Sequence, residues 1–200
     1  MDIDKAKAEF LVSVKPGVAI RTHAQAVHES YVSAVRTRNT KAPVYIKLLS
    51  EEQRARFAKS FKDATRAAAE FVRENRSEEG LIAAIEGLSR EMSHRYPDAL
   101  FGRRLRIVIA QKALNLYLKY VWCLDPAWPT PVHCPLDGIV LEEAGVSGVW
   151  TQLDCIDTYR NWIGKIASCA MHNGFASMAE WELKIWQDRG DRNKSAERRC

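Results

Sequence analysis

Apolar residues recur every three or four positions along most of the chain, which is the spacing of one face of an α-helix. Between residues 50 and 75, for example, Phe57, Phe61 and Ala64 follow this interval, and lysines and arginines occupy the other faces. Ser50 followed by Gln53 has the spacing of a capping box, which marks a helix start. No segment alternates apolar and polar residues in the manner of a strand. The pattern therefore predicts an all-α fold.

The same spacing, together with proline, glycine and capping residues, predicts the bounds of the individual helices. We expect helices over residues 4–14, 18–38, 50–75, 77–92, 103–124, 135–143, 151–172 and 177–189. A turn at 96–102 separates two small lobes of one domain, 1–100 and 101–189. Residues 190–200 are polar and are predicted to form a flexible tail.

Composition narrows the class of protein. Hydrophobic residues make up 46% and charged residues 28% of the 200 residues, which is ordinary for a globular chain. The N-terminal residues lack the apolar stretch of a signal peptide, and no segment reaches the roughly 18 uninterrupted apolar residues of a membrane helix. We therefore expect a cytoplasmic protein without a membrane partner.

Five cysteines are present, and none forms a Cys-x-x-Cys pair, so free thiols are expected rather than a disulfide framework. Cys169 and His172 lie three positions apart on one helix, and His133, Cys134 and Cys155 could in principle join them around zinc. Zinc sites usually consist of two closely spaced pairs, and this spacing is irregular. The sequence predicts no metal and no cofactor.

Basic charge is concentrated in two blocks, although the net charge is only +5. Residues 21–66 hold ten lysines and arginines against four acids, and residues 90–119 hold seven against two. Such blocks suit a polyanionic partner such as nucleic acid, and solvated helix faces are the other common explanation.

Candidate chemistry is concentrated between residues 103 and 141. Three arginines, Arg103, Arg104 and Arg106, follow the turn and are predicted to lie in the first turn of the next helix. Basic residues are unfavourable there unless they bind an anion, which makes a phosphate contact plausible. Further along the same apolar helix lie Lys112 and, one turn later, Asn115.

A loop with four prolines, residues 125–135, follows this helix and is expected to be rigid. It leads into a helix predicted to begin at Pro135 and to carry Asp137 in its opening turn. Trp122, Trp128 and His133 lie in or beside the loop. An acid at a helix start is often only structural, and here the combination with the basic turn and the lysine favours a functional site.

This order of elements resembles the helix-hairpin-helix superfamily of DNA glycosylases, and in particular its divergent branch near the archaeal 8-oxoguanine glycosylases. The matching segments are residues 106–112 (Arg-Ile-Val-Ile-Ala-Gln-Lys) and 135–140 (Pro-Leu-Asp-Gly-Ile-Val), within about forty residues. The chain is also similar to bacterial proteins of this fold that defend against phages with modified bases. The family's Leu-Pro-Gly-x-Gly hairpin string is absent, and residues 97–103 stand in its place.

The resemblance implies that a nucleotide is flipped out of double-stranded DNA and that its base is excised, with Asp137 as the catalytic acid. Lys112 would support it, Trp122, Trp128, His133 and Asn115 would line the base pocket, and Arg103, Arg104 and Arg106 would hold phosphates. Leu105 or a neighbouring arginine stands where bifunctional members carry a nucleophilic lysine. Because a guanidinium stays protonated, we expect a monofunctional enzyme unless Lys112 acts as the amine.

A helical nucleic-acid-binding or regulatory protein without catalytic activity is the alternative. It accounts for the same basic blocks and assigns Asp137 no role beyond helix initiation. Other features, such as the Asp154–Asp157 pair early in a helix, are weaker candidates for acid–base chemistry.

Overall fold

In a computed structural model of the chain, the structure describes residues 1–12, 19–36, 42–46 and 49–197. Within these ranges the chain folds into eight α-helices and two 3-10 turns, and its only β-structure is a single bridge between Tyr45 and Leu100. The prediction of an all-α fold is confirmed. No helix in the described ranges combines the length and apolar character of a membrane span.

The α-helices are α1 (Ile3–Val12), α2 (His23–Val35), α3 (Glu51–Glu74), α4 (Glu78–Arg95), α5 (Ile107–Leu124), α6 (Gly138–Glu143), α7 (Ile156–His172) and α8 (Met178–Glu197). The 3-10 turns are Phe101–Arg103 and Trp150–Gln152. The predicted helix boundaries at residues 14, 18 and 38 lie outside the described residues. The predicted division into lobes near residue 100 stays a prediction.

Helix α5 is the centre of the molecule, because α1, α2, α3 and α4 all pack against it. Fourteen of its eighteen residues are buried, including Gln111, Asn115 and Lys119. Helix α8 packs on α1 and α7, and α6 packs on α7. Aromatic side chains fill the remaining space, for example Phe10 of α1 stacked on Tyr120 of α5. A helix that is buried nearly all round must satisfy its polar groups inside the protein.

Local capping sets several helix starts as the sequence predicts. Ser50 and Gln53 form a complete capping box at α3, and Ser177 accepts a hydrogen bond from the backbone N–H of Glu180 at α8. Thr22 and Gln25 form a further capping box, so α2 begins at His23 rather than at residue 18.

Three further helix starts predicted from the pattern are wrong, and in each case contacts with residues distant in sequence hold the backbone out of the helix. Helix α5 begins at Ile107 instead of residue 103, because Ser89 and Ser93 of α4 bind the carbonyl and the N–H of Leu105. Helix α6 begins at Gly138 instead of Pro135, because the side chain of Gln111 in α5 forms hydrogen bonds with the backbone of Leu136.

The third wrong start is that of α7, which begins at Ile156 instead of residue 151. The 3-10 turn Trp150–Gln152 precedes it, and the Leu153 carbonyl accepts a hydrogen bond from Val108 N–H. At the other end of the chain, α8 continues to Glu197. Residues 190–197 are therefore helical, and the last helix does not end near Arg189.

Gly148 lies in the turn before Trp150, with φ of +152°, and a Cβ atom there would overlap the indole of Trp162 in α7. Gly148→Ala is therefore expected to lower the free energy of unfolding by at least about 2 kcal/mol, through overpacking and a backbone conformation that L-residues avoid. Gly164→Ala, on an exposed position of α7 with open space around it, is the control and should raise it by about 0.5–1 kcal/mol. Urea unfolding of both variants measures the difference; equal effects would contradict the packing described.

Candidate functional site

The side-chain amide of Gln111 holds the loop that leads to Asp137. Its Nε2 donates to the carbonyl of Leu136 at 2.9 Å, and its Oε1 accepts from the N–H of Leu136 at 3.2 Å. The buried amide thus satisfies both the N–H and the carbonyl of Leu136, as a neighbouring β-strand would do. They fix the position of Asp137 relative to α5.

Gln111 belongs to a buried polar network. Asn115 donates to Gln111 Oε1 at 3.2 Å and to the Tyr159 hydroxyl of α7 at 2.9 Å. The Tyr159 hydroxyl lies 2.9 Å from His133 Nδ1. Which of these two atoms donates depends on the tautomer of the imidazole, and the other ring nitrogen, Nε2, has no hydrogen-bond partner within the described residues. The Glu78 carboxylate lies 4.0 Å from that nitrogen.

Burial dominates the titration of this network. It lowers the pKa of His133 from 6.5 to about 4, with a smaller contribution from the charge of Arg160. Burial also raises the pKa of the Tyr159 phenol. At neutral pH both rings are uncharged, so the network is a structural support for the loop and does not supply charge to a ligand.

Asp137 is the residue before α6 and caps that helix. Its Oδ1 accepts hydrogen bonds from the N–H groups of Ile139 at 3.0 Å and Val140 at 3.3 Å. Its Oδ2 lies 3.7 Å from the ammonium of Lys112 on α5. The Asp137 side chain is 29% exposed and that of Lys112 is 17% exposed, so the pair is open to solvent on one side. The structure thus brings together the two predicted catalytic residues.

Trp150 completes this corner of the molecule. The Lys112 ammonium lies over its indole, 4.7 Å from the ring centroid. Gly138 makes room for the indole, because a Cβ at Gly138 would come within 3.0 Å of Trp150 Nε1. The sequence does not indicate a role for Trp150, because this residue lies in a Gly- and Val-rich segment without helical periodicity.

A second, more deeply buried ion pair lies on the same helix. Lys119, seven residues or two turns after Lys112, is 1% exposed and pairs with Glu182 of α8. Burial raises the pKa of Glu182, against the lowering effect of Lys119, and the charges of Asp137 and Lys112 are also close enough to act on it. The sequence signal for these buried polar contacts is that four polar residues interrupt one otherwise apolar helix. They are Gln111, Lys112, Asn115 and Lys119.

The three arginines predicted to contact phosphate differ from the prediction in their position, and one of them binds only other parts of the protein. The three arginines precede α5 instead of lying in its first turn. Arg103 pairs with Asp98, and Arg104 pairs with Asp154. Arg106 donates to the carbonyls of Thr151 at 3.1 Å and Ala42 at 2.6 Å, so it holds the fold together.

The N-terminus of α5 is itself occupied, because Asp154 Oδ1 accepts from the N–H of Ile107 at 3.0 Å. This carboxylate takes the place that the sequence assigned to a phosphate. Of the three arginines, the exposed Arg103 and Arg104 are therefore the ones available to an external anion.

The basic block of α3 is partly neutralised within the helix. Arg56 pairs with Glu52, and Lys59 and Arg66 both pair with Asp63, at spacings of three or four residues. Its net field is weaker than the count of basic residues indicates.

The predicted base-pocket residues do not line one open pocket. Trp122 is buried beneath α1, where Lys7 covers its ring, and Trp128 is buried against Tyr117 and His23. His133 and Asn115 are buried in the polar network described above. All four residues stabilise the protein from inside, which is the physical reason why they cannot present a stacking face to a base.

Cysteines and histidines are dispersed in the structure. Cys134 is buried, Cys155 is exposed, and Cys123 and Cys169 are intermediate; all four are free thiols. No three His, Cys, Asp or Glu side chains within the described ranges lie close enough together to hold a metal ion.

Comparison of the chain with models of known protein families, with curated proteins and with solved structures gives no significant match.

His133→Asn is expected to flatten the acid limb of the stability curve. Unfolded histidine titrates near pH 6.5 and the folded residue near pH 4, so between these values the unfolded state binds more protons and stability falls as pH decreases. The wild type should therefore lose up to about 1.4 kcal/mol per pH unit more than the variant in this window. Asparagine can still accept from Tyr159 and does not titrate.

The measurement is urea unfolding of both proteins at pH 7.0, 6.0, 5.0 and 4.5. His28→Asn, at an exposed site on α2, is the control and should keep the wild-type pH dependence. A parallel fall in wild type and His133→Asn would mean that His133 is not held neutral.

Proposed function

We propose that the protein is a cytoplasmic DNA N-glycosylase that acts on double-stranded DNA, with Asp137 as its catalytic carboxylate. It flips a modified or damaged nucleotide out of the duplex and hydrolyses the bond between base and sugar, leaving an abasic site. The substrates we favour are hydroxymethylated or glucosylated cytosines of phage DNA and oxidised purines. These place the enzyme in antiviral defence or in DNA repair.

The observation that carries this proposal is the pairing of Asp137 with Lys112 at 3.7 Å at a position open to solvent. The two residues belong to the two segments that resemble the glycosylases, and Gln111 and Leu136 join those segments by two hydrogen bonds. An ionised carboxylate stabilises positive charge that develops nearby.

The proposed reaction is a hydrolysis. The C1′–N bond breaks as positive charge develops on the sugar, and the ionised Asp137 stabilises that charge. Asp137 also orients the water, whose oxygen forms the new bond to C1′ and whose proton leaves through the carboxylate. The departing base takes up a proton, and Lys112 is the nearest donor. Strand scission by the enzyme itself is not expected.

Exposed Arg103 and Arg104 would contact phosphates on this proposal, whereas Arg106 would act through the fold alone. Trp150 links the two regions. It lies over Lys112, and four residues later Asp154 binds Arg104. A duplex held by the arginines would therefore lie close to the Asp137–Lys112 pair.

One feature of Asp137 favours the alternative, a nucleic-acid-binding protein without catalysis. Its Oδ1 accepts two backbone hydrogen bonds, which is the whole task of a helix-capping residue. Asparagine caps a helix about as well as aspartate and carries no charge, so this substitution separates capping from catalysis.

Asp137→Asn should reduce base excision by at least about 100-fold, because the charge that stabilises the transition state is removed, while the unfolding free energy changes by less than about 1 kcal/mol. The assay incubates purified protein with duplexes carrying hydroxymethylcytosine, glucosylated hydroxymethylcytosine or 8-oxoguanine, and alkali converts abasic sites into strand breaks. Unmodified duplex is the substrate control.

Asp157→Asn, at an exposed position in the first turn of α7, is the matched protein control and should retain full activity. Full activity of Asp137→Asn would exclude Asp137 as the catalytic group. Absence of breaks on every substrate, with DNA binding that survives Asp137→Ala, would establish the non-catalytic alternative.

A further inference from the structure

Two exposed apolar residues lie close in sequence to the residues that form the corner of the molecule around the Asp137–Lys112 pair. Ile139, two residues after Asp137, is 41% exposed, and Val149, next to Trp150, is 57% exposed. They are two of the few large hydrophobic residues in the described ranges that are this exposed, and the half-buried indole of Trp150 lies between their two segments. An aromatic ring beside a partly exposed pair of opposite charges is a combination found in ligand sites.

We infer that Trp150, with Ile139 and Val149 at its rim, is the surface on which the flipped base stacks. This inference rests on the proposed function, because it assigns a substrate contact to the same site. It replaces Trp122 and Trp128, whose buried positions exclude them from that role.

The chemistry of the patch matches an unstacked nucleobase. A base has two apolar faces and a polar edge, and the site offers an aromatic ring and two aliphatic side chains next to a carboxylate and an ammonium. The base would contact the indole face that Lys112 does not cover, and Asp137 and Lys112 would lie near the bond to be cleaved.

Packing also fixes the indole in place. Gly138 leaves the space that Trp150 Nε1 fills, and Lys112 lies over the ring. Gly148, two residues earlier, has no space for a side chain because Trp162 fills it. The ring is therefore held before any ligand arrives, which lowers the entropy cost of stacking.

The test compares two fluorescein-labelled duplexes of one sequence by fluorescence anisotropy. In the first, one cytosine is opposite a tetrahydrofuran abasic analogue and is easily unstacked; in the second, all bases are paired. The proteins are wild type, Trp150→Phe, Trp150→Leu and the control Phe71→Leu, which alters an exposed aromatic residue on α3.

Stacking predicts a graded result. Trp150→Leu should bind the duplex with the unpaired cytosine about 10-fold more weakly than wild type, and Trp150→Phe about threefold more weakly. Both variants should bind the fully paired duplex within about twofold of wild type, as should Phe71→Leu on either duplex. Quenching of tryptophan fluorescence by the unpaired cytosine should decrease in both Trp150 variants.

If Trp150→Leu is unstable, Val149→Ser provides the test, because the Val149 side chain is mostly exposed and its replacement should not affect folding. Val149→Ser should weaken binding of the duplex with the unpaired cytosine and leave binding of the fully paired duplex unchanged. Equal affinity of Trp150→Leu and wild type for that duplex, or equal losses on both duplexes, would overturn the inference. So would a change in oligomeric state without a change in DNA binding, since the patch would then bind a second copy of the chain.

The two proposals fail in different ways. If no modified duplex yields abasic sites while Trp150 still discriminates unpaired from paired cytosine, the glycosylase proposal fails and the stacking surface stands. If Asp137→Asn abolishes excision while Trp150→Leu binds and cleaves as wild type does, the stacking inference alone is wrong.

Discussion

The pairing of the Gln111 amide with the backbone of Leu136 is the interaction on which the rest of the candidate site depends. Gln111 is buried in the central helix α5, where an unpaired amide would cost about 1–3 kcal/mol. Leu136 satisfies both ends of the side chain, because its carbonyl accepts from Gln111 Nε2 and its N–H donates to Gln111 Oε1. Because that bond pair holds Leu136, Asp137 follows it at a fixed place and caps α6. The ion pair with Lys112, and the position of Gly138 against Trp150, follow in turn.

Helix α5 carries two ion pairs that differ in exposure, and the difference assigns them different roles. Lys119 is 1% exposed and Glu182 is 13% exposed, whereas Lys112 and Asp137 are 17% and 29% exposed. The inner pair contributes to the fold, since protein encloses the Lys119 ammonium. A buried lysine without its acid would be strongly destabilising, so this pair also fixes α8 against α5. The outer pair keeps a carboxylate accessible to solvent.

Elements whose information is local could be predicted from the sequence, and elements set by distant side chains could not. The apolar interval of α3 and the Ser50–Gln53 box lie within one segment, so the helix and its start were found. The starts of α5, α6 and α7 depend on Ser89 and Ser93, on Gln111, and on the fit of residues 153–154 against α5, none of which periodicity reveals. The same difference explains which candidate site residues lie together in the structure and which do not. Asp137 and Lys112 were found from their setting, whereas Trp122 and Trp128, close to the loop in sequence, are buried elsewhere.

The segment Trp150–Asp154 joins the parts of the site that no single helix connects. Trp150 lies over Lys112, the carbonyl of Thr151 accepts from Arg106, and Asp154 binds both Arg104 and the first N–H of α5. An anion that binds Arg104 must compete with Asp154. A shift of Asp154 would move the segment Trp150–Asp154, which begins at the indole. On the proposed function, a phosphate bound at Arg104 would therefore act on Trp150 through these five residues. If the protein binds DNA as proposed, this connection would make stacking on the indole depend on a DNA backbone that is already in place.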